Sequence, residues 1–238
     1  MLTGLTVVDL TAELSPDTVM WPGEAPPRAV VTDRHERDGS FSREITLGEH
    51  SGTHFDAPVH FTRGAPTVAE VAPDRLVLPV RVIDISARAA RDPDAELTLA
   101  DVEAHERDCG PIAAGAAVFL RTDWDLRSGA VEDDGGPAGD LRFPGFGPAA
   151  ARLLVDDRGV LGLGIDTLGI DPGRATDFPV HRDVSLPRGV WHLENLVGLA
   201  AVPPVGAWVF VGVPKVAGAS GFPARVLALV PHAHPLGR

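Results

Sequence analysis

Apolar and polar residues alternate in seven stretches along the chain: Leu5–Leu10, Arg43–Leu47, Val77–Ile85, Ala117–Thr122, Val160–Ile165, Ala207–Val213 and Ala224–Val230. Several are rich in valine and isoleucine, and the period of two predicts strands. Helical patterns are fewer. Thr98 followed by Asp101 reads as a capping box ahead of VEAHERDC. A second helix is predicted over Pro148–Asp157, with Gly159 as its stop. A short third is predicted over Val180–Leu186, ended by Pro187. RAARDPDAE (88–96) and RSGAVEDDGGPAGD (127–140) read as loops, neither long enough for an interdomain linker. Strands outnumber helices, so the pattern predicts a sheet-dominant α/β chain. It is read as one domain over residues 1–238.

Composition narrows this picture. A chain of 238 residues buries roughly 70–75% of its unfolded surface without covalent staples. The single cysteine, Cys109, rules out an internal disulfide and fits a reducing compartment. The first sixteen residues carry no basic leader followed by an apolar run, and no stretch reaches 18 apolar residues. The expectation is a soluble, cytoplasmic protein. A net charge of −12 would repel nucleic-acid phosphates and anionic membranes, which leaves small molecules as the expected partners.

The chemistry concentrates in GEHSGTHFDAPVHF, residues 48–61. His50 and His54 have the i, i+4 spacing of a helical zinc motif, but Gly52 and Pro58 discourage helix. The segment is instead a loop following a strand, where Gly52 lets the chain turn and Asp56 follows on the same side as His54. Two imidazoles and a carboxylate form a nitrogen/oxygen set suited to zinc or manganese, with iron, cobalt and nickel also compatible. A bound dication lowers the pKa of water and polarises a carbonyl oxygen. His60, beyond Pro58, is either a further ligand or a proton carrier, since imidazole titrates near neutrality. The bland alternative is a solvated, histidine-rich loop. Further ligands are expected in FPVHRDVSLPRGVWHLENL, which holds His181, His192 and Glu194. Apolar Leu193 and Leu196 carry Glu194 inward, where an unpaired carboxylate would be costly. His192 would share the face of Glu194 in a strand, as a ligand or an acid. Its alternative is a surface residue beside Trp191. His35 and His105 read as solvated residues, and His232 and His234 as part of a tail.

Residues 50–61 resemble the signature H-x-G-T-H-x-D-x-P-x-H of the metal-dependent cyclase-like hydrolases, a family that includes bacterial kynurenine formamidase and isatin hydrolase. MWPGEAPP, GIDTLGID and VHRDVSLPRGVWHLENL resemble further landmarks of that family in the same order. The resemblance implies a swivelling β/β/α domain of the kynurenine formamidase type, assembled as a dimer or tetramer. It implies one or two divalent ions, Zn or Mn, per subunit. His50, His54 and Asp56 match ligands of one ion. Asp56 and Glu194 match carboxylates that bridge to a second, and His181 matches that ion's histidine. His60 matches a proton shuttle, and Trp21 a pocket aromatic. Phe55 and Phe178 are further candidates for stacking on a substrate. Ser220 is a candidate substrate or water contact, or else a turn residue. One departure stands out: the interval from His181 to Glu194 is about one residue longer than the family's. The implied activity is hydrolysis of an amide, formamide or lactam C–N bond, arylformamidase-like. The alternatives are a cyclase or dehydratase of secondary metabolism and a non-catalytic metal-binding protein.

Overall fold

A computed structural model describes residues 4–126 and 141–232. The predicted loop 127–140 and His234 lie outside them. All seven predicted strands form, each within two residues of its expected bounds: β1 (Leu5–Asp9), β3 (Ser42–Thr46), β5 (Val77–Asp84), β7 (Ala117–Arg121), β9 (Gly162–Ile165), β11 (Ala207–Gly212) and β13 (Arg225–Pro231). Six more were not foreseen: β2 (Arg28–Asp33), β4 (His54–Asp56), β6 (Glu96–Leu97), β8 (Gly145–Phe146), β10 (Trp191–Glu194) and β12 (Gly221–Pro223). Most of these are too short for alternation to register. Nine strands join one sheet in the order β1-β13-β11-β5-β7-β9-β10-β4-β12. Its centre, β5-β7-β9-β10, is parallel, and its flanks are antiparallel.

The alternation of side chains sends successive residues to opposite faces, and both faces of the centre are buried. Phe55, Val80, Phe119, Trp191 and Leu193 pack on one side. Val118, Leu120, Leu163 and Ile165 pack on the other, against the two predicted helices. The first of these spans Leu99–Cys109 and carries the Thr98/Asp101 capping box. The second begins as an α-helix at Pro148–Arg152 and loosens into a π-helix at Leu153–Asp157. Gly162 is indispensable to the first face. A Cβ there would lie 2.3 Å from the Trp191 ring.

Two expectations are corrected. His105 is not solvated: with Val102, three residues earlier, it lies on the inward face of its helix and is buried. The predicted helix at 180–186 is a π-helix, Val180–Ser185, and Pro187 does not stop it but sits inside a following 3-10 turn, Leu186–Arg188. The i→i+5 turn takes in an additional residue. Across this turn and the strand that follows, His181 and Glu194 meet, His181 Nε2 lying 3.2 Å from Glu194 Oε1.

Candidate metal centre

The centre is a product of strand register. Strands β4 and β10 run antiparallel with His192 opposite Asp56 and Glu194 opposite His54. Phe55 and Leu193, the residues between, point into the core. The four polar side chains therefore share one face, and all are buried. His181 joins them from the π-helix, its Nε2 lying 3.2 Å from Glu194 Oε1 and 3.6 Å from Asp56 Oδ2. His54 Nε2 lies 3.3 Å from Asp56 Oδ1 and 3.4 Å from Glu194 Oε2. His50 places Nδ1 2.7 Å from Asp56 Oδ1. The two carboxylates thus stand between one imidazole pair, His50 and His54, and a second, His181 and His192.

Outer hydrogen bonds decide which nitrogen of each ring is free. His54 Nδ1 donates to the Gly52 carbonyl at 2.9 Å. That carbonyl is aimed inward by the left-handed φ of Gly52, 60°. His181 Nδ1 donates to Asp171 Oδ2 at 2.6 Å. His50 Nε2 meets Ser220 Oγ at 3.0 Å. The Ser220 hydroxyl already donates to Glu49 Oε2 at 2.7 Å, so it accepts the proton of His50. In each ring the second nitrogen carries a lone pair directed at the carboxylates, an arrangement in which acceptor faces acceptor. His54 Nε2 and Asp56 Oδ2 are buried without a hydrogen-bond partner. Desolvating ionised carboxylates costs several kcal/mol each, so a cation belongs among these groups. The nitrogen and oxygen donors, their spacing and their outer partners fit a divalent metal.

With no cation bound, protons compensate the same field. Burial opposes a charge on His54, but Asp56 and then Glu194 override it and raise its pKa to about 10. His181 is likewise raised well above the ordinary range, against its burial, by Asp171, Asp56 and Glu194. Burial and the Asp56 charge push Glu194 upward, yet His181 and His54 hold it at about 2. His60 behaves in the opposite way. Burial, joined by the charges of His50 and His181 and opposed by Asp56 and Glu194, lowers it to about 4, so it is neutral at pH 7. Its ring stacks on His50 at 4.0 Å between centroids.

A cavity of about 200 Å³ opens over the centre, floored by His50, His54, His181 and Glu194 and flanked by His60. Trp21, Phe61, Leu168 and Phe178 form its apolar wall, with Asn195 at the edge. Trp21 and Phe178 pack 5.8 Å apart, and Phe61 and Phe178 5.6 Å apart. Phe178 has a φ of 51°. That value is rare for a bulky residue and marks a place where backbone energy is spent on side-chain position.

The structure thus brings together His50, His54, Asp56, His60, His181, Glu194 and Trp21. It does not bring Phe55 to the cavity, because the ring lies fully buried in the core against Trp191. Ser220 contacts the far nitrogen of His50 and Glu49, and does not line the cavity. The surface reading of His192 is also corrected, since the residue is fully buried beside Asp56. Asp171, Ser185 and Asn195 carried no sequence signal as individual residues. Only contact with a histidine or the cavity reveals them.

Fold and centre together define a metal-dependent hydrolase whose candidate ligands come from β4, β10, the turn before β4 and the π-helix. The profile of the Cyclase family, described as "Putative cyclase", matches residues 8–172, and the chain belongs to this family. It is 35% identical to the isatin hydrolase of Roseibium aggregatum, over 95% of this chain and 92% of that protein. Its identity to the kynurenine formamidase of Salinibacter ruber is 31%, over 94% of this chain and 97% of that one. Among solved structures, isatin hydrolase A from Labrenzia aggregata bound to benzyl benzoate aligns with a TM-score of 0.90 at 33% identity, covering 96% of this chain and 95% of that one. The chain is accordingly an enzyme, a hydrolase acting on small molecules. No helix among the described residues is long and apolar enough to cross a membrane.

Proposed function

We propose that the chain is a metal-dependent hydrolase of a C–N bond, in an amide, formamide or lactam of a small aromatic compound, with arylformamidase-like chemistry. The observation that carries this is one cavity in which the His/carboxylate centre, a neutral imidazole and an aromatic wall converge. When bound, a divalent ion, zinc or manganese, supplies Lewis acidity toward a carbonyl oxygen and lowers the pKa of water. His50, His54 and Asp56 would hold one ion, with Glu194 and His181 available to a second. His60 is neutral before turnover and accepts a proton from the attacking water. Burial disfavours the charge on the imidazolium so formed, which returns the proton to the departing nitrogen. An amine leaves poorly unless protonated, so this return is required. Trp21, Phe61 and Phe178 grip the aromatic ring and exclude water from the reacting face. Identity to an isatin hydrolase and a kynurenine formamidase supports a carbonyl carbon attached to nitrogen.

The enzyme works as a homo-oligomer in the cytoplasm. The hairpin β2–β3 supports assembly, because it leaves Val30, Phe41 and Ile45 exposed at 67%, 54% and 54%. A lone two-stranded ribbon is marginal in water unless something packs against it. The test of the reaction is a panel of N-formylkynurenine, isatin, simple lactams and lactones, with zinc and manganese supplied in turn. Metal-dependent opening of a C–N substrate is expected. Ring formation with loss of water would move the protein to the cyclase reading. Metal uptake with no turnover would leave a binding protein.

A further inference from the structure

His192 takes no part in the chemistry described so far, yet it is fully buried at the base of the centre. Its Nε2 lies 2.6 Å from Ser185 Oγ. The Ser185 hydroxyl has one proton, and that proton goes to the Val180 carbonyl at 2.7 Å. Ser185 must therefore accept from His192, which fixes the proton on Nε2 and leaves a lone pair on Nδ1. Nδ1 has no hydrogen-bond partner and points toward Asp56 Oδ2, 3.8 Å away, which has none either. Two buried acceptors facing each other are unfavourable unless a cation lies between them.

The surrounding donors complete a cage. One ligand atom from each of Asp56, His181, His192 and Glu194 lies within 4.8 Å of every other. Three of the six pairs measure 3.2, 3.6 and 3.8 Å. A tetrahedral zinc site with bonds of roughly 2.0–2.2 Å has edges of roughly 3.3–3.6 Å. Binding an ion would draw the wider pairs, within 4.8 Å of one another, in toward that edge. We propose that His192 is the fourth protein ligand of a buried second metal position, formed with Asp56, His181 and Glu194. The inference rests on the metal-dependent reading above. It divides the centre into two unequal places. The outer one, at His50 and His54, faces the cavity and keeps room for water and substrate. The inner one lies deeper, with His192 fully buried behind it: its ion would neutralise Asp56 and Glu194 and anchor the π-helix to the sheet.

The full-length protein is loaded with zinc, desalted and dialysed against increasing chelator, and bound zinc per chain is measured by elemental analysis. Two ions are expected, one lost at low chelator and one retained. His192→Ala should hold only the ion that is lost early. Ser185→Ala removes just the hydroxyl that sets the tautomer and should weaken the retained ion by about 10–100-fold. Circular dichroism checks that each variant folds. If His192→Ala does not fold, Ser185→Ala decides, and unchanged retention there overturns the inference. A wild-type protein with a single ion, or His192→Ala with two ions retained as in wild type, also overturns it. Hydrolysis by a one-ion enzyme would sink this inference alone, whereas a protein that takes up no metal would sink the metal-dependent reading itself.

Discussion

Asp171→Asn probes the centre through a residue that would touch neither metal nor substrate. Asp171 accepts three hydrogen bonds: from the Val180 backbone at Oδ1 (2.8 Å), and from the His181 backbone (3.1 Å) and His181 Nδ1 (2.6 Å) at Oδ2. An asparagine has one acceptor oxygen and one amide donor. With its oxygen toward His181, the amide confronts the Val180 N–H. Reversed, it confronts both His181 donors. The better orientation strands one buried donor, which costs about 1–3 kcal/mol. It also turns a charge-assisted bond into a neutral one of roughly half the strength. The expected loss of unfolding free energy is about 2–4 kcal/mol. Metal binding carries a separate penalty, because a carboxylate behind a histidine makes its other nitrogen a better ligand and holds the ring in place. Loss of such a partner lowers affinity by about 10–100-fold. Urea unfolding in chelator isolates the first term, and competition against a calibrated chelator isolates the second. Wild-type affinity in a variant destabilised as expected would refute the claim that Asp171 tunes His181, leaving it a structural bond alone.

His60→Ala should retain wild-type metal content and lose turnover by about 10²–10⁴-fold, the usual range for a positioned acid or base; an active variant would exclude the shuttle role. Gly221→Ala places a Cβ 2.4 Å from His50 Cε1 and 2.8 Å from the Phe55 carbonyl. The ring of His50 has to move, so the ion lost at low chelator should bind at least tenfold more weakly, as elemental analysis would show. Metal uptake should release protons at pH 7. His54, with its pKa raised to about 10, carries a proton when no cation is bound, whereas a ligand imidazole must be neutral. Affinity should therefore fall as pH falls and rise with pH toward about 10. Calorimetry in buffers of different ionisation enthalpy reads the proton count, and a heat independent of buffer would contradict the assignment.

Much of the fold was legible because alternation over five or more residues is a strong local signal. All seven long strands and the capped helix at Leu99–Cys109 follow from it. The strands that build the centre are different. β4 has three residues and β10 four, and the motif in β4 reads as a loop because Gly52 and Pro58 flank it. His105 was misjudged because a charge-rich helix still buries one stripe of side chains. Phe55 was misplaced by the same alternation that puts His54 and Asp56 in the site. In a strand, the residue between two ligands must face the other way.

Sequence alone determined the chemical kind of the centre: histidines and carboxylates without thiolate, in a segment where Gly52 and Pro58 exclude a helical zinc motif. It also singled out the distant segment that completes the set. Tertiary structure decided how those groups are shared. The antiparallel register of β4 and β10 sets His192 against Asp56 and Glu194 against His54, and the π-helix brings in His181. Hydrogen bonds from Gly52, Asp171, Ser185 and Ser220 then fix which nitrogen of each ring is free. A lone pair's direction depends on what stands behind the ring. For three of these four histidines that partner lies elsewhere in the chain and was placed only by folding.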